Sequence, residues 1–235
     1  MGNRVSELPE AYVLGEWDFY NITLKITPDV LIPRSDTEHL VDVALEYLRN
    51  LSTINYQLST LNCLDLCCGS GCIGLAIEAN CPGVEVTYGD ISEAALAVAR
   101  DNGCKDARLL DALKPPPTDF GHYDVLVCNP PYVRPDDPAL DKSVLDHEPH
   151  IALFGAGEPP EAILGDGLDF YRALFPDWLS VLKPGGLFIV EVGYDQAGVV
   201  KQMAGEAGLE KVNIRKDYAG HDRVVYGNRR GGEHG

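Results

Sequence analysis

Residues 64–74 read L-D-L-C-C-G-S-G-C-I-G: a short apolar run, a turn crowded with glycine, then the start of a second apolar run. Gly69, Gly71 and Gly74 satisfy the spacing G-x-G-x-x-G. That pattern constrains a fold strongly when a strand precedes it and a helix follows, because the glycines allow a tight turn and close approach of backbone to a ligand. Both conditions are met here. Cys63–Cys67 reads as a strand, Gly71–Ala79 as a helix, and Val84–Tyr88 as a second strand. Asp90 ends that second strand about 20 residues beyond the turn, where an acidic side chain can hold ribose hydroxyls. The combination points to a nucleoside-cofactor site. It allows a nicotinamide dinucleotide and, with the carboxylate of Asp65 just before the turn, it equally allows S-adenosylmethionine (SAM), whose amino group and ribose both call for carboxylates.

The same alternation continues along the chain. Ser92 caps a helix over Glu93–Asp101, Arg108–Leu110 reads as a weak third strand and Asp124–Cys128 as a fourth. A helix over Leu168–Leu182, ended by Lys183-Pro-Gly-Gly, precedes a strand at Leu187–Val192. A helix near Gln196–Ala207 leads to two last strands, Leu209–Lys216 and Arg223–Tyr226. Seven strands interleaved with helices predict an α/β fold, a Rossmann-like, doubly wound, mainly parallel sheet with helices on both faces. Ahead of it, Trp17–Ile26 reads as a hairpin arm, and Ser35 with Glu38 fits a capping box for a helix carrying Leu40, Val41, Ala44, Leu45 and Leu48. Residues 1–34 therefore form a leading hairpin segment, 35–228 one α/β domain and 229–235 a tail. The polar stretch Asn50–Asn62 reads as a linker, and 134–165, rich in Pro, Gly and acidic residues, as an active-site loop or lid.

Charge and cysteine usage narrow the function. Nineteen Lys+Arg against 36 Asp+Glu give a net charge of −17, which disfavours a phosphate-binding surface and suits a neutral or basic protein partner. The apolar runs are too short to span a bilayer, and Met1 is not followed by a secretory signal pattern. Seven cysteines, at 63, 67, 68, 72, 81, 104 and 128, lack the spacing of a zinc site and read as reduced thiols of a cytosolic protein, with no metal.

The fourth strand ends in V-C-N-P-P-Y-V, residues 127–133. Pro130 and Pro131 fix their own φ and push Asn129 out of helical conformation, so its carboxamide is held rigidly. The Asn129 side-chain oxygen and the Pro130 carbonyl make a pair of acceptors suited to an –NH2 group, and Tyr132 offers a face for a planar amide or base. Accepting both hydrogens of a substrate amide orients its nitrogen lone pair toward a sulfonium methyl. Catalysis then rests on alignment and electrostatics and needs no Ser, His or carboxylate.

Asp65–Gly71, Asp90 and Asn129–Tyr132 together resemble a class I SAM-dependent methyltransferase acting on an amino or amide nitrogen. The stretches A-Y-V-L-G-E-W-D-F-Y (11–20), L-I-P-R-S-D-T-E (31–38), E-P-H-I-A-L-F-G (148–155), D-G-L-D-F-Y-R (166–172) and D-Y-A-G-H-D-R-V-V-Y-G (217–227) are similar to the PrmC/HemK family of release factor glutamine N5-methyltransferases, from about Leu8 to Asn228. The resemblance implies SAM as cofactor and S-adenosylhomocysteine as product. It implies the glutamine of the GGQ motif of class I peptide chain release factors as the methyl acceptor. By the same likeness, Asp65, Cys67, Cys68, Gly69, Ser70, Gly71 and Asp90 bind SAM, with Asp111 near the adenine. Asn129 contacts both SAM and the glutamine, and Pro130, Pro131 and Tyr132 complete the amide pocket. Cys67 stands where the common form of the motif has glycine and would be strained if φ is positive there. Family members also carry a helical N-terminal domain, whose last edge is where this chain starts, so the resemblance covers the catalytic domain.

Other readings keep the fold and change the acceptor: a ribosomal-protein glutamine, or adenine N6 of nucleic acid, the latter set against a chain with no basic stripe. An NAD-dependent oxidoreductase leaves N-P-P-Y without a task, and a non-catalytic SAM-binding module would transfer nothing. His147, His150 and His221 read as solvated or structural, Glu38 and Glu148 as holders of ligand or loop, and Arg223 as an ion-pairing pin for the last strands.

Overall fold

The computed structural model describes residues 8–54, 60–138, 140–156 and 165–231. A seven-stranded sheet is built from β3 (Leu61–Leu66), β4 (Val84–Asp90), β5 (Asp106–Leu109), β6 (Tyr123–Cys128), β7 (Leu182–Glu191), β8 (Leu209–Lys216) and β9 (Asp222–Arg229), in the order β5-β4-β3-β6-β7-β9-β8. The first five run parallel, and β9 and β8 close the far edge antiparallel. Every residue of β6 is buried, as expected of a central parallel strand covered on both faces. The two-residue period splits its side chains between two cores. Val125 and Val127 join Cys63 and Ile189 beneath α2 (Glu38–Ile54), α3 (Cys72–Asn80) and α4 (Glu93–Asp101). Leu126 and Cys128 join Leu64, Phe188 and Trp178 on the opposite face, under α8 (Ala197–Glu206).

Ahead of the sheet stand α1 (Glu10–Leu14) and the hairpin β1 (Glu16–Phe19) and β2 (Ile22–Lys25), the latter paired Glu16↔Lys25 through Phe19↔Ile22. Phe19 and Leu24 are buried against the first core, so the hairpin is packed onto the domain. The stretch 134–165 holds two short helices, α5 (Lys142–His147) and α6 (His150–Phe154). Residues 139 and 157–164 of that stretch, 55–59 of the expected linker and 1–7 and 232–235 at the ends lie outside the described residues.

Four expectations are corrected. The capping box at Ser35 and Glu38 does not form. Ser35–Thr37 is a 3-10 turn without a side-chain cap, because the Glu38 carboxylate is taken by the Tyr20 N–H of the hairpin turn, 2.8 Å away. The helix expected over Leu168–Leu182 is α7 (Asp169–Ala173) followed by a π turn at Leu174–Trp178 and a 3-10 turn at Leu179–Val181. Pro176 lacks an N–H and in a regular helix its ring would crowd the carbonyl four residues before it, and the wider π turn accommodates both. Lys183-Pro-Gly-Gly does not end a helix. It is a bulge inside β7, whose register against β6 jumps from Tyr123↔Leu182 to Val125↔Leu187. Finally, Arg229 belongs to the sheet and not to a tail: β9 runs through it, and its guanidinium donates to the Leu182 carbonyl.

Candidate active site

The chain reverses its strand order between β3 and β6, which lie side by side with their other neighbours on opposite sides. In doubly wound sheets the ligand crevice opens at the carboxyl ends of strands at this point. The glycine turn leaves β3 there and Asn129 leaves β6 there, so the two motifs share one cleft.

The turn is held in an unusual backbone path. Cys67 has φ +60°, Gly69 +53° and Gly71 +82°. For Cys67 the left-handed region costs on the order of 1 kcal/mol, the strain expected from a side chain at a glycine position. Two contacts pin the turn to β4: the Cys68 N–H donates to the Gly89 carbonyl at 3.0 Å, and the Gly69 N–H to Asp90 Oδ2 at 2.9 Å. The other Asp90 oxygen accepts from the Ser92 N–H at 2.9 Å, and the Ser92 hydroxyl caps α4. Burial pushes the Asp90 carboxyl upward, against the N–H donors of Ser92, Gly69 and Ile91.

Asp65 sits deeper, with no exposed surface. Its Oδ2 accepts from the Gly74 N–H at 2.9 Å inside α3. Its Oδ1 has no hydrogen-bond partner among the described residues. Burial, opposed by that N–H and aided by the charge of Asp90, pushes its pKa up to about 7. Gly74 itself lets α3 approach the sheet. A Cβ there would stand 2.4 Å from Tyr88 Cε1 and 2.8 Å from Val86 Cγ1.

Of the residues expected at the site, Cys67, Cys68, Gly69, Ser70, Asp90, Asp111, Asn129 and Pro131 line the cleft. Asp65, Gly71, Pro130 and Tyr132 do not: Asp65 lies beneath the turn, Gly71 starts α3, and Tyr132 braces the wall from behind. The Tyr132 hydroxyl donates to Glu191 Oε1 at 2.8 Å and its carbonyl accepts from Gln196 Nε2 at 3.1 Å. Asp111 pairs with Lys114 at 2.9 Å, and Trp178 Nε1 supports that loop by donating to the carbonyls of Ala112 and Lys114. Asn129 Nδ2 donates to Thr37 Oγ1 at 3.4 Å. With its nitrogen so engaged, its oxygen is the group left to accept.

Two site-forming residues escaped the sequence reading. Thr37 lines the cleft from the 3-10 turn before α2, but in sequence it merged into the expected helix cap. Glu191, 2% exposed, ends β7 beside N-P-P-Y. The signal was a single carboxylate closing the apolar run G-L-F-I-V at the carboxyl end of a strand. Glu148 is settled as a loop holder: its carboxylate accepts from the Ile32 N–H at 3.1 Å and pairs with Arg34. Glu38 likewise holds the hairpin turn. His147 and His150 bond backbone carbonyls of Ser143 and Leu145. Arg223 pairs with Asp217 at 3.2 Å and Asp36 at 3.4 Å, tying β9 to the turn before α2.

A glycine turn, an acidic residue ending the next strand and Asn-Pro-Pro-Tyr across a switch point define a methyltransferase site. The sequence profile described as "Methyltransferase small domain" matches residues 38–146. The chain is 39% identical over 230 residues to the release factor glutamine methyltransferase of Clostridium acetobutylicum, spanning 94% of this chain and 75% of that protein. It is 38% identical over 227 residues to that of Chlamydia trachomatis serovar L2, spanning 95% and 73%. Among solved structures it resembles a release factor-specific protein-(glutamine-N5) methyltransferase from Alicyclobacillus acidocaldarius, with a TM-score of 0.53, 30% identity and coverage of 88% of this chain and 99% of that one. The chain belongs to the release factor glutamine methyltransferase family.

Proposed function

We propose that the chain transfers a methyl group from SAM to the side-chain nitrogen N5 of the glutamine in the GGQ motif of class I release factors, in the cytoplasm. The observation that carries this reading is the placement of Asn129. It faces the glycine turn across one cleft, its amide nitrogen engaged by Thr37 and its oxygen, with no hydrogen-bond donor among the described residues, placed to accept from a substrate –NH2.

The residues present fit SAM. Asp65 leaves a buried carboxylate oxygen without a partner beneath the turn, an arrangement that a cationic ammonium group above it would stabilise. A Cβ at Gly69 would meet no protein atom within 4 Å, so the bare turn leaves room for a ligand against its backbone. Asp90 has both oxygens oriented by N–H donors at the cleft wall, ready to accept from ribose hydroxyls, and Ile91, Leu110 and Ala112 provide an apolar slot for a base, edged by Asp111.

When bound, SAM would supply an electrophilic methyl on a cationic sulfur, with a neutral sulfide as its leaving group, and the methylated amide nitrogen would give up one proton to solvent. The chain's task is alignment. Asn129 Oδ1 accepts from the substrate amide and turns its nitrogen lone pair toward the glycine turn, while Pro130, buried behind the cleft wall, and Pro131 on it keep that acceptor from relaxing. Tyr132 contributes from behind, through Glu191.

The test is incubation with methyl-labelled SAM and a release factor, beside a release factor whose GGQ glutamine is alanine. Label confined to the glutamine-bearing protein is expected. Label on both, or label accepted by a ribosomal protein or by nucleic acid but not by the release factor, would overturn the proposal.

A further inference from the structure

The Asn129 side of the cleft is bounded by a closed ring of contacts that runs through one buried carboxylate, Glu148. Asn129 Nδ2 donates to Thr37 Oγ1 at 3.4 Å. The Thr37 N–H donates to the Arg34 carbonyl at 3.1 Å, and the Arg34 guanidinium pairs with Glu148. From Glu148 the chain passes through Pro149 into α6, where the Leu153 carbonyl accepts from the Val133 N–H at 3.1 Å. Val133 directly follows Asn-Pro-Pro-Tyr, so the path returns to Asn129. Pro33, Thr37, Asn129, Pro131, Ile151 and Ala152 lie along this ring and line the cleft.

Three stretches far apart in sequence meet in the ring, residues 32–37, 129–133 and 148–153, and Glu148 joins the first to the last. Its side chain is 2% exposed. Oε2 accepts from the Ile32 N–H at 3.1 Å and Oε1 pairs with Arg34, whose Nη1 donates to the Ile32 carbonyl at 2.9 Å. A carboxylate this deep is costly to leave unpaired, so residues 32 and 34 are held to it. The planar guanidinium is gripped at two points, on Glu148 and on the Ile32 carbonyl, which fixes its direction. Arg34 is also the extended residue that enters the 3-10 turn, and its carbonyl holds Thr37. Glu148 in turn is fixed at the end of α5, its own N–H donating to the Val144 carbonyl at 2.9 Å.

We infer that Glu148 is a positioning residue for methyl transfer: by clamping residues 32–34 to the entry of α6 it holds Thr37 against Asn129, and so keeps the Asn129 oxygen directed at the substrate –NH2. The inference rests on the glutamine-methylating reading and adds to it a residue that acts on the acceptor side from outside the cleft. Glu148 is not part of the cleft lining. Its side-chain bonds go to Ile32 and Arg34 and not to the glycine turn, Asp65 or Asp90. Opening the clamp therefore disturbs the alignment of the acceptor and spares the cofactor side.

The experiment compares wild type, Glu148→Gln, Thr37→Val and the double variant, with steady-state methylation of a release factor and SAM affinity by calorimetry. Glutamine is nearly isosteric and still offers an oxygen to the Ile32 N–H, but its neutral amide cannot grip a guanidinium as a carboxylate does. Glu148→Gln and Thr37→Val are each expected to lower kcat roughly ten- to a hundredfold, with SAM affinity unchanged. The double variant should be no slower than the slower single one, because both substitutions break one path. Losses that multiply place Glu148 on a different path and overturn the inference. A fall in SAM affinity that matches the fall in kcat overturns it too, since Glu148 then merely supports the fold. A further readout does not depend on turnover: in a chain with ¹⁵N-labelled asparagine, the Asn129 side-chain NH2 signals, assigned by their loss in Asn129→Ala, should move in Glu148→Gln as they do in Thr37→Val. Wild-type kcat in Glu148→Gln overturns the inference while leaving the methylating reading intact. Asn129 signals unmoved by Glu148→Gln overturn it even if the acceptor proves to be a different –NH2 group.

Discussion

A carboxylate with no exposed surface and one N–H donor is unfavourable in its charged form, and Asp65 shows it in a pKa pushed up to about 7 by burial. Because the folded value lies above the unfolded one, the folded chain holds a proton that the unfolded chain has released. The stability this gives is complete below about pH 4 and is lost as pH rises toward about 7. Asp65→Asn is expected to flatten the dependence of the urea midpoint on pH across that window, and an unchanged slope would mean that Asp65 does not titrate there. In the proposed mode of binding, the ammonium group of SAM would stand above Asp65 and should displace the proton. Near pH 6, calorimetry in two buffers of different ionisation enthalpy should show proton release on binding in wild type and none in Asp65→Asn. Asn129 makes a different prediction, because its oxygen matters chiefly when the acceptor is being aligned. Asn129→Ala should lower kcat by roughly a hundred- to a thousandfold, the cost of one preorganised hydrogen-bonding group, with a smaller change in SAM affinity. An equal loss in both would place Asn129 in cofactor binding alone.

The contact between α3 and β4 is where the glycine motif serves packing. Gly74→Ala would put a methyl group 2.4 Å from the Tyr88 ring and 2.8 Å from Val86. Both side chains are buried, so the helix must move, at a cost of about 1–3 kcal/mol, read as a lower thermal midpoint and weaker SAM binding as the turn shifts. An alanine variant as stable as wild type would contradict this packing. The elements also show what was legible in the sequence. Helix Glu93–Asp101 with its Ser92 cap, the glycine turn and the end of β6 were readable because their signals are local: a cap side chain, a left-handed backbone position and a pair of prolines. The failures share a tertiary cause. Glu38 looked like a capping residue until the hairpin supplied a competing N–H, and Lys183-Pro-Gly-Gly looked like a helix stop until β6 pulled Leu182 into register. Tyr132, expected to offer a stacking face, stands behind the cleft lining with its hydroxyl on Glu191, a partner far along the chain.

Across the whole molecule, a net charge of −17 sets a field that any macromolecular partner must enter. Exposed charges are screened over about 10 Å at 0.1 M salt. If a basic face of the release factor docks here, its KM should rise as ionic strength rises while kcat at saturation holds, and a KM indifferent to salt would mean that contacts and not charge set the encounter. The sheet serves the chemistry by bringing two distant stretches, residues 65–71 and 129–132, to the carboxyl ends of adjacent strands, and the packed hairpin adds Thr37 to the wall through the turn that follows it.

The most direct measurement is tandem mass spectrometry of a release factor after one turnover with SAM and this chain, with Asn129→Ala in parallel. A single added methyl on the side-chain nitrogen of the GGQ glutamine is expected with wild type and none with the variant. A methyl found on another residue, or an unmodified glutamine from a chain shown to bind both SAM and the release factor, would contradict it.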